Sequence, residues 1–436
     1  MWSGAPLRHV DAFAERGTEQ IMRLHADGTP RRSIRRISGM AVRVVSDHNG
    51  GRFLQCAGTT AAQVRDLGGE LAGAVDDATR RRATDGLLST AGLVDTGNTP
   101  ATDAGISVDW LAAAREGALA NGADAVETRW WCRDRAYAVW RDDSLIASRT
   151  CLMWLTVSAR TGTTRGSSVV AHLPAAPLTV EAAAQAGAAA AGQARRLGGA
   201  AVPRSGPTPV IFAPDAAGAF VHEVLGHALE ADIAETSAMW ARRTQLDLHP
   251  ALSVFDDSRV PQSWEQTTVD EEGTPCGRVT LVDRGRVVGR LTDQAHARPQ
   301  GAVSTGHGRR GLYSSPPIPR MRHTIVTGGS DDAVDIVADT RHGVMVLAIE
   351  SADAIPAQGR FVMRVRDAVE VVDGRAGRPL TSFSVTGDLA DLALLDAVGS
   401  DNAPGVLMCG RQGRWVPVSH DAPTLRLPRL TVRGRS

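Results

Sequence analysis

Residues Val180 to Leu197 form an alanine-rich run of high helix propensity that stops at Gly198-Gly199 and leads into the proline-containing segment Pro203 to Pro209. Glycine ends a helix and proline cannot continue one, so the chain is expected to divide there, into 1–205 and 206–436. The 436 residues support this division, because they exceed one ordinary core and suit two units of about 200 residues each. Before the boundary, alternating apolar segments such as Met40 to Val45 are separated by the turn residues Asp27-Gly28 and Asn49-Gly50-Gly51, which predicts strands and hairpins. A helix is expected near Thr60 to Leu67 and another over Val108 to Gly122, with strands at Val126 to Trp140 and Ser144 to Ser158. After the boundary, Val210 to Ala213 reads as a strand and Ala216 to Ala234 as an amphipathic helix with Asp215 as its N-cap. Strands are then expected at Arg278 to Val282, Val287 to Leu291, Val344 to Glu350, Arg360 to Val365, Ala368 to Val372 and Leu425 to Val432. The fold class is therefore α+β: an N-terminal α/β unit with a mainly antiparallel sheet, then a β-rich unit with one embedded helix.

Charge and residue usage remove several functions. The 48 basic residues balance 48 acidic ones, so no overall field draws the chain to nucleic acid or anionic lipid, and neither partner is expected. Every basic residue is arginine; without lysine there is no Schiff base to a cofactor and no phosphate-loop lysine. Five scattered cysteines (Cys56, Cys132, Cys151, Cys276, Cys409) with no CxxC pair argue against a disulfide framework. No stretch approaches the ~18 apolar residues of a bilayer span, and the expected location is the cytoplasm. Trp130, Trp131, Trp140 and Trp154 concentrate the scarce aromatics and are expected to pack in the core and on a sheet face rather than to form a ligand platform.

The chemistry lies in the string His222-Glu223-Val224-Leu225-Gly226-His227. Two imidazoles and a carboxylate are what a hydrolytic zinc site needs, nitrogen ligands for the ion and a base beside its water. The histidines are five positions apart, about 140° around a regular helix at ~100° per residue. Both rings reach one ion only if the helix widens locally, as in a π-bulge, a distortion that Gly226 would make cheap.

Four stretches in order carry a family resemblance: HEVLGHALEAD from His222; Trp264 to Gly273 with the hairpin-like Thr280 to Gly289; Ser304 to Arg310 followed by Pro316 to Met321; and Met408 to Val418. Together they resemble the metal-carrying, TldD-type members of the TldD/PmbA family. Arg411 stands where that family's CGK segment has lysine. The resemblance implies that His222, His227 and Cys409 bind zinc (Zn2+), with Glu223 as general base. A thiolate suits zinc, and two histidines plus one sulfur leave a fourth position for water. Glu230 and Asp232 are candidates to hydrogen-bond the ligand imidazoles from behind, and Arg309 and Arg310 to bind a peptide carbonyl or carboxylate. The implied function is a zinc metallopeptidase that hydrolyses amide bonds in extended or unfolded peptides with a metal-activated water. The implied assembly is a dimer with a related metal-free TldE/PmbA-type subunit or with a second copy. Two alternatives stay open: a hydrolase that processes a small peptide-derived metabolite, and a non-catalytic regulator or scaffold of the gyrase-modulating kind.

Overall fold

The computed structural model of the chain describes residues 7–46, 51–71, 76–97, 108–237 and 246–434. Its N-terminal half is one antiparallel sheet of six strands: β1 (Leu7–Leu24), β2 (Pro30–Ser46), β3 (Gly51–Ala57), β4 (Ala125–Arg141), β5 (Ser144–Thr161) and β6 (Thr164–Ala171), in the order β3-β2-β1-β4-β5-β6. The predicted strands are present and longer than expected. At the β4–β5 corner Arg141 pairs with Ser144 while Asp142 and Asp143 both adopt positive φ, the two-residue turn that matches the twist of a hairpin. At the β1–β2 corner Asp27 Oδ1 accepts from the Thr29 N–H and Gly28 has φ 83°, as the Asp-Gly signal predicts. In the second predicted turn, Asn49 and Gly50 lie outside the described residues.

Four helices cover this half. α1 (Ala61–Glu70) starts in a capping box of Thr60 and Gln63, α2 (Asp77–Gly97) was not apparent in the sequence, and α3 (Val108–Ala120) and α4 (Val180–Leu197) pack together. The alanine-rich run is α4, capped by Thr179. Its small residues allow close approach: a Cβ at Gly187 would overlap the Ala114 carbonyl. Trp130 is buried in the core beneath these helices, while on the side facing the C-terminal half Trp154 stacks on Trp264 and Trp131 packs tilted against both.

The C-terminal half is richer in strand. After β7 (Gly206–Phe212) and α5 (Pro214–Val221) come β8 (Val254–Asp256), β9 (Val279–Asp283), β10 (Arg286–Val287), β11 (Gly308–Arg309), β12 (Ile318–Pro319), β13 (His323–Val326) and β14 (His342–Ile355). Then follow β15 (Arg360–Val372), β16 (Arg375–Pro379), β17 (Phe383–Asp388), β18 (Ala397–Val398), β19 (Ala403–Arg411), β20 (Arg414–Ala422) and β21 (Leu425–Gly434). One sheet runs β10-β9-β8-β13-β20-β19 and leaves β19 at its edge; the other runs β14-β7-β21-β17-β15-β16. The segments predicted as strands 360–365 and 368–372 are one continuous strand, and Val287 to Leu291 pairs only briefly. The largest core, including Phe212, Phe220, Phe361 and Leu427, lies between α5 and the second of these sheets. The chain is thus α+β, with an antiparallel N-terminal sheet and a sheet-rich second half in which α5 is the longest α-helix among the described residues. Among the described residues no helix is long and apolar enough to cross a membrane.

The halves meet through buried ion pairs as well as through the cluster of Trp131, Trp154 and Trp264. Arg43 pairs with Asp11 at 2.7 Å and with Glu272; Arg135 reaches Glu15 at 2.9 Å and Glu271 at 2.8 Å. Arg310 reaches Asp11 at 3.0 Å, and Arg322 reaches Glu271 at 3.3 Å.

Candidate metal centre

α5 begins with Pro214 at its first position and Ala213, which supplies no side-chain cap, before it. Asp215 is therefore not the N-cap; it sits in the first turn, its Oδ1 3.2 Å from His420 Nε2. Proline at this position has no N–H to leave unsatisfied and a φ already set for the helix, which favours a start here. The helix does not run regularly to Ala234 either. Over His222–Gly226 it widens into a π-turn, in which the His227 N–H donates to the His222 carbonyl five residues back. It then tightens into a 3₁₀ turn at His227–Leu229 and breaks at extended Glu230, because Ala231 N–H and Leu291 N–H bond across to Leu291 and Leu229 carbonyls. The widening that the five-residue spacing demands is present. Gly226 serves it differently from the expectation: its φ of −56° is ordinary, but a Cβ there would overlap Met321 Sδ.

The widened turn brings the two imidazoles together, ring centroids 5.0 Å apart and nearly perpendicular. Cys409 arrives from β19, 182 residues beyond His227, with Sγ 3.2 Å from His222 Nε2 and 3.2 Å from His227 Nε2. One donor atom from each of His222, Glu223, His227 and Cys409 lies within 4.8 Å of the others. Glu223 Oε2 is 3.7 Å from His227 Nε2, and its side chain is the most exposed of the group at 18%. In tetrahedral zinc, with bonds of about 2.3 Å to sulfur and about 2.0 Å to nitrogen, these ligands stand roughly 3.5 Å apart, so the spacing observed needs only small relaxation. The donor chemistry, two imidazoles and a thiol without clustered carboxylates, also suits zinc.

Behind the donors lies a charged support. Glu230 Oε2 is 2.8 Å from His227 Nδ1, which directs Nε2 at the site. Glu230 is itself flanked by Arg411 at 3.4 Å and Arg320 at 3.5 Å, while Asp232 accepts from Arg411 at 2.7 Å and so supports that arginine rather than an imidazole. Arg320 donates to the Cys409 carbonyl at 2.9 Å and so ties the hairpin to the helix support. Neither Arg320 nor Arg411 was assigned a role from the sequence, although both lie in the stretches that carry the resemblance. Burial lowers the His222 pKa well below the usual range, helped by His227. For His227 burial acts the same way but Glu230 and Cys409 outweigh it and raise the pKa. Burial raises the Glu223 carboxyl, whereas His227 and Arg411 overcome burial and hold Glu230 down.

Arg309 and Arg310 have internal partners instead of a surface. Each is 1% exposed; Arg309 bonds Glu265 and the Met321 and Pro417 carbonyls, and Arg310 bonds Asp11. These contacts give both arginines a structural occupation and leave them no open face for a peptide.

Fold and donor set together define an α+β protein with a candidate divalent-metal site of two imidazoles and one thiol, carried on a widened helix and a hairpin. The PmbA/TldA metallopeptidase C-terminal domain matches residues 205–434, just over half of the chain. The chain belongs to the TldD/PmbA metallopeptidase family. It is 27% identical over 235 residues to a metalloprotease TldD homolog of Haemophilus influenzae, covering 53% of this chain and 49% of that one. It is 24% identical over 235 residues to a zinc metalloprotease TldD homolog of Saccharolobus solfataricus, covering 53% of each. The chain thus matches about half the length of these curated relatives. The crystal structure of TldE from Thermococcus kodakarensis superposes with a TM-score of 0.71 over 98% of this chain and 97% of that one, at 15% identity, which shows a common fold.

Proposed function

We propose that the chain is a zinc-dependent peptidase of the HExxxH type, with His222, His227 and Cys409 as ligands and Glu223 as general base. The observation that carries this reading is the convergence of two Nε2 atoms on one thiol, 3.2 Å from each, beside a partly exposed carboxylate. Zinc, when bound, supplies a Lewis acid that polarises an amide carbonyl and acidifies water. Glu223 accepts the proton of the attacking water and delivers it to the leaving amine. Glu230 holds the His227 ring, and Arg411 and Arg320 hold Glu230.

The substrate class is an extended peptide. β19 carries Cys409 and lies at a sheet edge, so a peptide paired along it as an added strand would pass the site with little dependence on its side chains. We further read the chain as two units, 1–205 and 206–436, working in the cytoplasm as a dimer with a related metal-free subunit or with a second copy; the fold shared with a TldE supports the first.

Elemental analysis of the purified chain tests the site. About one zinc per chain, lost in both Cys409→Ala and His227→Ala, is expected from the three ligands proposed. A metal-free wild type, or Cys409→Ala with its zinc intact, would remove the site and favour a scaffold.

A further inference from the structure

A second concentration of arginine lies on the other face of the hairpin that carries Cys409. A cavity of about 410 Å³ is bordered by β4, the 311–315 segment and the β19–β20 turn. Arg35, Arg129, Arg133 and Arg414 line it against one carboxylate, Glu19. That carboxylate is already engaged: Oε1 accepts from the Trp131 indole N–H at 2.6 Å and Oε2 lies 3.7 Å from Arg35. The Nε atoms of Arg129, Arg133 and Arg414 and the indole nitrogen of Trp154 are buried without an acceptor. These atoms have no exposed surface, and Arg133 is already bonded to the Gly311 carbonyl at 2.7 Å and lies 3.4 Å from Glu15. What an anion in the hollow would offset is therefore the excess of guanidinium charge from Arg35, Arg129 and Arg414 over the single engaged carboxylate. Burial and Arg23 both disfavour the charge on Arg129, and Glu19 opposes them only in part.

The walls narrow the class of anion. Trp131 and Trp154 form one side, and Trp415, 61% exposed, also borders the cavity. Planar guanidinium forks next to aromatic faces suit a carboxylate borne on a peptide. Strand geometry supplies the route. Cys409 packs with Leu407, Val416 and Val418, whereas Met408, pointing the other way, lines the cavity. A peptide laid along the β19 edge sends alternate side chains to these two faces.

We propose that this cavity is a carboxylate-binding subsite, which holds an acidic side chain or the terminal carboxylate of a peptide on the hairpin face opposite Cys409. The choice of a peptide rests on the peptidase reading, but binding requires neither metal nor turnover. Calorimetric titration of the full chain bearing Glu223→Gln, with three N-acetylated octapeptides, tests it. One carries an internal Glu and an amidated C-terminus, one Gln and a free C-terminus, and one Gln and an amidated C-terminus. A carboxylate-bearing peptide is expected to bind about tenfold or more tightly than the neutral one, as charge-assisted bonds imply, and the tighter arm identifies which carboxylate is held. Arg129→Gln and Arg414→Gln should each erode that preference. Equal or undetectable binding of all three peptides, or a preference that survives in both variants, overturns the subsite. Zinc content separates the two readings. A metal-free chain that still prefers carboxylates keeps the subsite without the peptidase, and a zinc-loaded chain without the preference loses the subsite alone.

Discussion

Gly226 lies inside the turn that sets the spacing of the two ligand imidazoles, and Met321 Sδ occupies the space a side chain would need. Gly226→Ala therefore forces Met321, or the turn, to move. Overpacking of this kind costs about 1–3 kcal/mol, and here it should also lower zinc occupancy because the displaced backbone carries His227. Thermal unfolding and elemental analysis of the variant check both effects, and adding Met321→Ala should restore part of the metal binding by reopening the space. A Gly226→Ala chain as stable and as metal-rich as wild type would mean that the turn tolerates displacement. Glu230→Gln makes a separate demand. It keeps a hydrogen-bonding group near His227 Nδ1 but removes the charge that orients the ring, and loss of such a partner typically weakens metal binding about 10–100-fold. Competition with a chromophoric chelator would reveal the loss, and an unchanged affinity would reduce Glu230 to a counter-ion of Arg411 and Arg320.

The site joins two elements that are remote in sequence, the widened helix and the β19–β20 hairpin, with Arg320 bonded to the Cys409 carbonyl between them. Metal binding should stiffen both together, since the ion would link a helical turn to an edge strand whose amides are otherwise free to open. Hydrogen exchange with and without zinc should show joint protection of 214–229 and 403–411 and no change in β1 to β3. Protection confined to the helix would exclude Cys409 as a ligand. What the sequence revealed of this arrangement follows from how local each feature is. The five-residue spacing of His222 and His227 required a widened turn because helical phase is a local property, and the turn is there. The break at Glu230 was not legible, because it depends on bridging to Leu291, some sixty residues away. The same limit applies to Arg309 and Arg310. Their side chains read as available donors, but their partners, Glu265 and Asp11, are fixed only by tertiary packing. The supporting role of Arg320 was likewise invisible, although the stretch containing it was conspicuous.

At the scale of the molecule, what joins the halves besides the tryptophan cluster is a buried network of arginines and carboxylates between β1, β2 and β4 on one side and residues 265–322 on the other. Such pairs contribute little net stability when intact, but removing one partner leaves a buried charge uncompensated, at a cost of about 3–5 kcal/mol. Glu271 is the most informative member. Burial opposes its ionisation, yet Arg322 and Arg135 prevail and lower its pKa from 4.5 to about 2. A carboxyl depressed in the folded state stabilises that state above its unfolded pKa, and the stabilisation is lost as pH falls towards the folded value. The contribution of Glu271 should thus be complete at pH 7 and decline from about pH 4.5 towards pH 2, with the joint between the halves weakened first. Glu271→Gln should melt lower than wild type at pH 7, because Arg135 and Arg322 lose their anion, but lose less further stability on acidification. The two melting temperatures should therefore converge as pH falls. Parallel curves would place the acid-sensitive contact elsewhere in the network, with Asp11 next to be tested because it meets Arg310 across the same joint.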